Sequence, residues 1–336
     1  MEAFRAASLF QPTNLNGAIG VEACDGPTER PPHLFGAVLG IPHVQMARLV
    51  AVLGFDFVFV DTLHAATNPE TLVSLIQTIN FASEGKTCAL VRVPSHNSDL
   101  LPYALDAGAA GIIFPQVDTP EQAAAVVSNV RYAYGGGTRS VSPFSLLDGI
   151  TNIAPKGWTS ETIADRNVAV ICQIESTLGV DNIDAIATTP GVNVLMLGIS
   201  DLKATLGLPV RNPGGLVDES RYHDAVAKMI CTSKEHGIQL MMPAFRANPD
   251  DMETLRNFKM LLTSVDIFSV RNHHRAELAN MKKALGVSEM ALHGKSTNGK
   301  STNGKLTNGK PTNGKPTNGY LTNEKMDGHA GHFHKV

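Results

Sequence analysis

Two carboxylates follow successive apolar segments in the middle of the chain. Glu175 comes directly after the run 168–174, and Asp201 comes shortly after the run 194–197. Each run has the composition of a buried parallel strand, and in α/β folds the chemistry is concentrated past the carboxyl ends of such strands. Carboxylate oxygens are the ligands that hard divalent cations prefer. The pattern therefore predicts a site for Mg²⁺, with Mn²⁺ or Co²⁺ as alternatives.

Three further polar residues stand near predicted strand ends. Asp61 ends the second strand, His64 lies in the loop that follows, and Arg92 ends the third strand. Each alone has an ordinary explanation, as a helix cap, a surface imidazole or an ion-pair partner. Together with the two carboxylates they are typical of a pocket. We expect Arg92 to stabilise negative charge on a keto oxygen, and His64, oriented by Asp61, to act as a general base or position a water.

The chemistry that fits these groups is the formation of an enolate from a small keto acid. A keto acid can bind a divalent cation through two oxygens, and the cation then polarises the ketone. The turn from Gly198 to Asp201, which includes Ser200, joins a strand to a helix. Its backbone N–H groups are placed to bind the substrate carboxylate.

Strand-like and helical segments alternate along most of the chain. The helical segments include one that Thr119 caps and Pro120 opens. Eight such units in about 250 residues predict an α/β fold, a (β/α)8 TIM-type barrel with an all-parallel sheet. A doubly wound open sheet remains the alternative. The strand-like runs are 34–39, 56–60, 87–91, 111–114, 168–174, 194–197, 239–242 and 265–270.

The ends of the chain differ from this barrel domain, which we assign to residues 34–287. Residues 1–33 contain several prolines, and we expect an irregular arm that lies over the domain or is partly disordered. Residues 288–336 are dominated by pentamers of the form Thr-Asn-Gly-Lys plus one residue, and such a polar repeat cannot bury a core. We expect this tail to be disordered. The long segment 135–158, rich in glycine and proline, is predicted to be a lid over the catalytic face.

Bulk properties exclude several classes of protein. The net charge of −3 favours neither nucleic acid nor an anionic membrane surface as a partner. The sequence has no apolar stretch near the roughly 20 residues of a membrane-spanning helix. The four cysteines are widely spaced and form neither a zinc motif nor a disulfide framework, so we expect reduced thiols and a cytoplasmic location.

Five short motifs in order, together with their spacing, resemble the HpcH/HpaI aldolase family, within the phosphoenolpyruvate/pyruvate superfamily. The resemblance implies metal-dependent pyruvate aldolase chemistry in a modified barrel whose last helix is exchanged between subunits of a dimer to hexamer. It implies Glu175 and Asp201 as metal ligands, Arg92 at the keto oxygen, Gln173 near bound pyruvate, and His64 with Asp61 as acid/base machinery. It also places Asp106 at a neighbouring-subunit contact near the pocket. The motifs are Asp61-Thr62-Leu63-His64-Ala65, Val91-Arg92-Val93-Pro94, Leu105-Asp106-Ala107-Gly108, Gln173-Ile174-Glu175 and Gly198-Ile199-Ser200-Asp201-Leu202.

The chain departs from the bacterial pattern of this family at the pocket. Leu63 stands where an acid usually precedes the histidine, and Ile199 and Ser200 replace a Pro-Ala or Pro-Asn pair. In type it is most similar to fungal members that decarboxylate oxaloacetate and add the resulting pyruvate enolate to an electrophile. We therefore expect a lyase or synthase that acts on pyruvate or oxaloacetate and an unknown electrophile. The alternatives are an acyl-CoA lyase of the citrate or malyl-CoA type and a non-catalytic barrel used as a binding subunit.

Overall fold

A closed barrel of parallel strands forms the centre of the molecule in the computed structural model, which describes residues 1–20, 30–142, 147–210, 219–246 and 252–287. Each strand pairs with the next along the chain, and the last pairs with the first. The (β/α)8 architecture expected from the sequence is confirmed. The strands are β1 (Leu34–Leu39), β2 (Phe57–Asp61), β3 (Cys88–Arg92), β4 (Gly111–Phe114), β5 (Ala169–Ile174), β6 (Val194–Leu197), β7 (Gln239–Met242) and β8 (Met260–Val265).

Alternate residues of each strand enter two different cores. On β2, Phe57 and Phe59 pack inside the barrel, whereas Val58 and Val60 pack outward against the helices. Both faces are buried, which explains why the strands read as continuous apolar runs. Because side chains alternate with a period of two, each strand also determines which polar residues at its carboxyl end face the barrel interior.

Helices surround the barrel, and their starts follow the capping signals of the sequence. Thr119 accepts a hydrogen bond from the Gln122 backbone N–H, as expected from the Thr-Pro pair, and Asn68 caps the helix Pro69–Ala82 in the same way. The helices are α1 (Leu15–Ile19), α2 (Val44–Ala51), α3 (Pro69–Ala82), α4 (Leu100–Asp106), α5 (Pro120–Val130), α6 (Ser160–Asn167), α7 (Thr177–Asp181), α8 (Ile183–Ala187), α9 (Ile199–Thr205), α10 (Ser220–His236), α11 (Met252–Leu255) and α12 (Asp266–Ala284).

The last strand lies earlier in the chain than the sequence predicted. The expected strand 265–270 is wrong: β8 spans Met260–Val265, and residues from Asp266 onward form α12. The β-branched and aromatic residues of 265–270 are typical of a strand. The Asp266 carboxylate favours the helix instead, because it is buried and accepts hydrogen bonds from the backbone N–H groups of Gly40, Ile41 and Ile267. These bonds fix the start of the helix beside the end of β1.

The first 20 residues pack into the amino-terminal end of the barrel. They contain a short 3₁₀-helix, Glu2–Phe4, and α1, so this part of the expected irregular arm has helical structure. Leu15 and Ile19 are almost fully buried and belong to the interior core of the barrel. The Asn16 side chain donates to the carbonyls of Arg166 and Val168, which ties α1 to the start of β5.

The segment 135–158, which the structure describes over 135–142 and 147–158, contributes no residue of those ranges to the cavity at the carboxyl ends of the strands. It joins α5 to α6 and thus precedes β5, so it belongs to the amino-terminal ends of the strands. Gln11 contacts it through hydrogen bonds with Asn152 and the Ile153 backbone N–H. The lid expectation is therefore wrong for the described part of this segment within its own chain. Composition alone identified a long loop but not which end of the barrel carries it.

The thiols agree with the expected reduced core cysteines where the structure describes them. Cys88 and Cys172 are buried, and burial raises the pKa of each thiol to about 12. Cys231 is exposed on α10. Cys24 and the expected disordered tail, 288–336, lie outside the described residues. No helix in the described ranges is both long enough and apolar enough to span a membrane.

Candidate active site

The period of two along the strands brings the polar residues to one place. Asp61 is two residues after Phe59 on β2 and therefore faces the barrel interior, as Phe57 and Phe59 do. Gln173 and Glu175 follow Ile171 at the same spacing of two residues. Arg92 follows Leu90 on β3 at the same spacing. In parallel strands these positions all lie at the carboxyl end of the barrel, so the predicted site residues converge above the interior core.

A cavity of about 300 Å³ occupies this end of the barrel. Its polar wall consists of residues that the sequence predicted, and it also has an apolar wall that sequence reasoning missed. The polar residues are Asp61, His64, Arg92, Gln173, Ser200 and Asp201, with Gly198 between them. Phe245 and Phe268 are the largest residues of the apolar wall, and the sequence analysis did not predict them. Their positions shortly after β7 and β8 could have indicated them, as positions at strand ends indicated Asp61 and Arg92.

Asp61 and Arg92 form a two-bonded ion pair at the cavity. Arg92 Nε lies 3.0 Å from Asp61 Oδ1, and Arg92 Nη2 lies 2.7 Å from Asp61 Oδ2. The same Oδ1 accepts the backbone N–H groups of Leu63 and His64, so it shapes the loop that carries His64. The expected orientation of the imidazole by Asp61 is thus replaced by backbone contacts. The Asp61 carboxylate binds the Arg92 guanidinium rather than the imidazole, and the guanidinium carbon also lies 5.2 Å from the Phe59 ring centre.

Glu175 is held firmly beside the cavity. It is 3% exposed, and its Oε1 accepts the Gln116 backbone N–H at 2.9 Å while Oε2 accepts the Gln173 amide. Gln116 has a φ of 52°, a left-handed conformation that non-glycine residues seldom adopt. Burial raises the pKa of Glu175 to about 7, and the negative charge of Asp201 adds to this rise.

Gly198 makes room for this carboxylate at the end of β6. A Cβ at this position would lie 2.4 Å from Glu175 Cβ and 2.5 Å from Glu175 Oε2. Only glycine therefore permits the close packing of β6 against Glu175 and Gln173. Gly198 is also the N-cap of α9, and Asp201 lies in the first turn of that helix.

The donor set fits a hard divalent cation. Two carboxylates lie close enough for the charge of Asp201 to raise the pKa of Glu175, a repulsion that a cation would relieve. Gln173 Oε1 is buried and, within the described residues, has no hydrogen-bond partner. A buried acceptor of this kind is suited to a water molecule or hydroxyl held next to a cation. The residues therefore fit the expected Mg²⁺, Mn²⁺ or Co²⁺.

Asp106 does not join the other residues. It lies at the end of α4 and pairs with Arg139 at 3.0 Å, away from the residues that line the cavity. Arg139 in turn stacks over Tyr132, with its guanidinium carbon 4.4 Å from the ring centre. The expected role of Asp106 at a neighbouring subunit stays a prediction.

Comparisons with known proteins identify the family and the fold. The model of the HpcH/HpaI aldolase/citrate lyase family matches residues 39–267. The chain is 33% identical over 213 residues to a 4-hydroxy-2-oxovalerate aldolase of Novosphingobium aromaticivorans, covering 62% of this chain and 76% of the relative. It is 30% identical over 223 residues to a 5-keto-4-deoxy-D-glucarate aldolase of Klebsiella pneumoniae, covering 61% and 80%. Among solved structures, macrophomate synthase superposes with a TM-score of 0.75 at 28% identity, covering 84% of this chain and 94% of that one.

Proposed function

Because the chain belongs to the HpcH/HpaI aldolase/citrate lyase family, we propose that it is a divalent-metal-dependent carbon–carbon lyase or synthase that works through a pyruvate enolate. The reaction is an aldol cleavage or condensation, or the decarboxylation of oxaloacetate coupled to addition of the enolate. The observation that carries the proposal is the convergence of Arg92, Gln173 and Asp201 on one cavity, with Glu175 buried beside it. Relatives named as aldolases of oxo and keto acids support it.

In this proposal Glu175 and Asp201 hold the cation, which supplies Lewis-acid polarisation of the substrate ketone when bound. Gln173 lines the cavity and positions Glu175 through its amide. The first turn of α9 has backbone N–H groups without intrahelical partners, and residues 198–201 line the cavity, so this turn is suited to the substrate carboxylate.

Arg92 and His64 perform the charge and proton work of the proposed reaction. The Arg92 guanidinium stabilises the negative charge that develops on the ketone oxygen, and Asp61 keeps it in place through two hydrogen bonds. His64 lines the same cavity and takes or returns the proton on the carbon that reacts. Leu63 leaves this histidine without an acid before it in the sequence, so the proton exchanges with the imidazole alone or with water.

The test follows the enolate directly. The protein is given oxaloacetate and Mg²⁺, and pyruvate release is measured; in parallel, pyruvate and Mg²⁺ in D₂O report exchange of the methyl protons by NMR. Glu175→Gln should lower both rates by at least about 10³-fold, since a positioned metal supplies several kcal/mol of transition-state stabilisation. The matched control is Glu121→Gln, an exposed acid in the first turn of α5, which should keep both rates. Absence of pyruvate release and of exchange in the wild-type protein would remove the proposal.

We also propose that the protein is a homo-oligomer in which α12 packs against another copy. Of the described side chains of α12, only Asp266 is buried, although the helix carries the apolar residues Leu278 and Met281, both more than half exposed. The surface of α2 exposes Leu49 and, just beyond its end, Val52. Exposed apolar patches of this kind favour protein contacts. An exchange of the last helix between subunits would cover both.

A further inference from the structure

The cavity is divided into a charged half and an apolar half, and the two halves come from different arcs of the barrel. The charged and amide side chains lie at or just past the carboxyl ends of β2, β3, β5 and β6, where Phe59, Met196, Leu197 and Ile199 also line the cavity. The described residues that line the other arc, from β7 through β8 and α12 to β1, are all apolar: Pro243, Phe245, Leu262, Val265, Phe268 and Val38. These strands are neighbours in the closed barrel, so the apolar residues form one continuous wall.

The two aromatic residues of this apolar wall pack against each other. The ring centres of Phe245 and Phe268 are 6.3 Å apart with an angle of 74° between the planes, an edge-to-face arrangement. Arg271 lies over the Phe268 ring at 5.0 Å, and its own donors are directed to Asn272. Both rings are therefore positioned by their neighbours, and the wall is a preformed surface.

We propose that this wall binds the electrophile of the reaction, and that the electrophile is an aldehyde or related carbonyl compound with an apolar aliphatic or aromatic substituent. This assignment depends on the proposed enolate chemistry of the same site. The keto acid occupies the charged half of the cavity, and the apolar half is the space beside it. A hydroxylated acceptor placed there would lose its hydrogen bonds to water without replacement, whereas an apolar substituent gains by leaving water.

The proposed bond formation balances without any further reactant. The pyruvate enolate carbon attacks the acceptor carbonyl carbon and forms the new carbon–carbon bond. The π electron pair of the acceptor carbonyl moves to its oxygen, which takes one proton from His64 or from water. The enolate oxygen returns to a ketone, so no oxidant or reductant is needed. The acceptor substituent lies against Phe245 and Phe268 throughout this step.

The experiment compares acceptors that differ only in hydroxyl groups. Propanal and glyceraldehyde have the same three-carbon skeleton, and the ratio of their kcat/KM values with pyruvate and Mg²⁺ measures the preference within one protein sample. We expect propanal to be preferred by at least about 10-fold. Phe245→Ser should reduce this ratio by about 10-fold, and Phe245→Leu, which keeps the wall apolar, should preserve it. Leu178→Ser, at an exposed position of α7 outside the cavity, is the control and should leave the ratio unchanged.

The outcomes separate this assignment from the proposed function. In one outcome the protein exchanges pyruvate methyl protons and yet shows no preference for propanal over glyceraldehyde, or the opposite preference. That result, or an unchanged kcat/KM ratio in Phe245→Ser, would overturn the acceptor assignment and leave the enolate chemistry standing. Absence of exchange and of pyruvate release would overturn both. If Phe245→Ser fails to fold, Phe268→Ser and Phe268→Leu make the same comparison from α12, on the other side of the aromatic pair.

Discussion

The Arg92 guanidinium donates two hydrogen bonds to the Asp61 carboxylate, and this geometry determines how a substitution of Arg92 would affect activity. The planar guanidinium matches the two oxygens of Asp61, with distances of 3.0 and 2.7 Å. A lysine has one ammonium group and cannot make both bonds in this geometry while reaching the same substrate oxygen. Charge alone is therefore insufficient at this position.

We predict that Arg92→Lys lowers the rate of pyruvate methyl-proton exchange by about 10²-fold, because the positive charge is kept but its position relative to the ketone oxygen is lost. Exchange is measured by NMR in D₂O with Mg²⁺ at saturation. Arg48→Lys, on the outer helix α2, serves as the matched control. A rate within about twofold of wild type for Arg92→Lys would show that placement of the guanidinium is unimportant.

The raised pKa of Glu175 makes metal binding dependent on pH. In the metal-free protein, burial and then the charge of Asp201 raise this pKa from 4.5 to about 7. A divalent cation requires the ionised carboxylate, so a proton competes with it below that value. We predict that Mn²⁺ affinity, measured by calorimetry, falls about 10-fold per pH unit below pH 7 and levels off above it. A flat affinity between pH 5 and 7 would contradict this.

The same shift affects folding stability in a defined direction. The folded metal-free protein holds the Glu175 proton more tightly than the unfolded chain, so this contribution is fully present below about pH 4.5. It is lost as the pH rises through about 7. Glu175→Gln cannot ionise at this position. The difference in unfolding free energy between wild type and this variant should therefore shift against the wild type across that window.

Part of this site was predictable from the sequence, and part was not. Asp61 and Arg92 were predicted because polar residues at strand ends are conspicuous after apolar runs, and Gln173 was predicted from the family resemblance. The Asp61–Arg92 pair was missed because strand order gives no distances between side chains. Phe245 was missed because an apolar residue after an apolar strand has no distinguishing chemistry until its neighbours are known.

At the level of secondary structure, β8 and α12 are decided by one buried carboxylate. Asp266 accepts three backbone N–H groups, two of them from the loop after β1, at 2.7 to 3.0 Å. We predict that Asp266→Ala lowers the unfolding free energy by about 3 kcal/mol, because buried donors lose a charged acceptor. Asp266→Asn keeps one acceptor oxygen and should cost about half as much. Urea unfolding measures both, and equal stability of Asp266→Ala and wild type would remove this role.

The strands show where sequence patterns suffice. The first seven predicted strands agree with the structure to within about one residue, because each is apolar on both faces and lies between clear turns. The eighth was displaced because the β-branched and aromatic residues of 265–270 favour a strand, while the contacts that select a helix come from residues 40 and 41. Long-range hydrogen bonds of this kind leave no local signal in the sequence.

For the whole molecule, the exposed apolar side chains of α12 lead to a prediction about assembly. We expect a dimer or larger homo-oligomer by light scattering after size exclusion, and Leu278→Glu together with Met281→Glu should shift it toward the monomer, since charges at a packed contact are costly. The control is Lys282→Glu with Lys283→Glu, which changes charge more strongly without adding polarity to an apolar patch. A wild-type monomer, or an unchanged mass in the apolar variant, would contradict the assembly.

The pairing of β1 with β8 has a consequence for synthesis of the chain. Leu34 is opposite Met260, so a nascent polypeptide leaving the ribosome carries an unsatisfied β1 edge until residue 265 has emerged. Strand edges left open during translation invite pairing with other chains. A stalled product that ends before β8 is consequently an unclosed sheet and a ready substrate for chaperones or proteases.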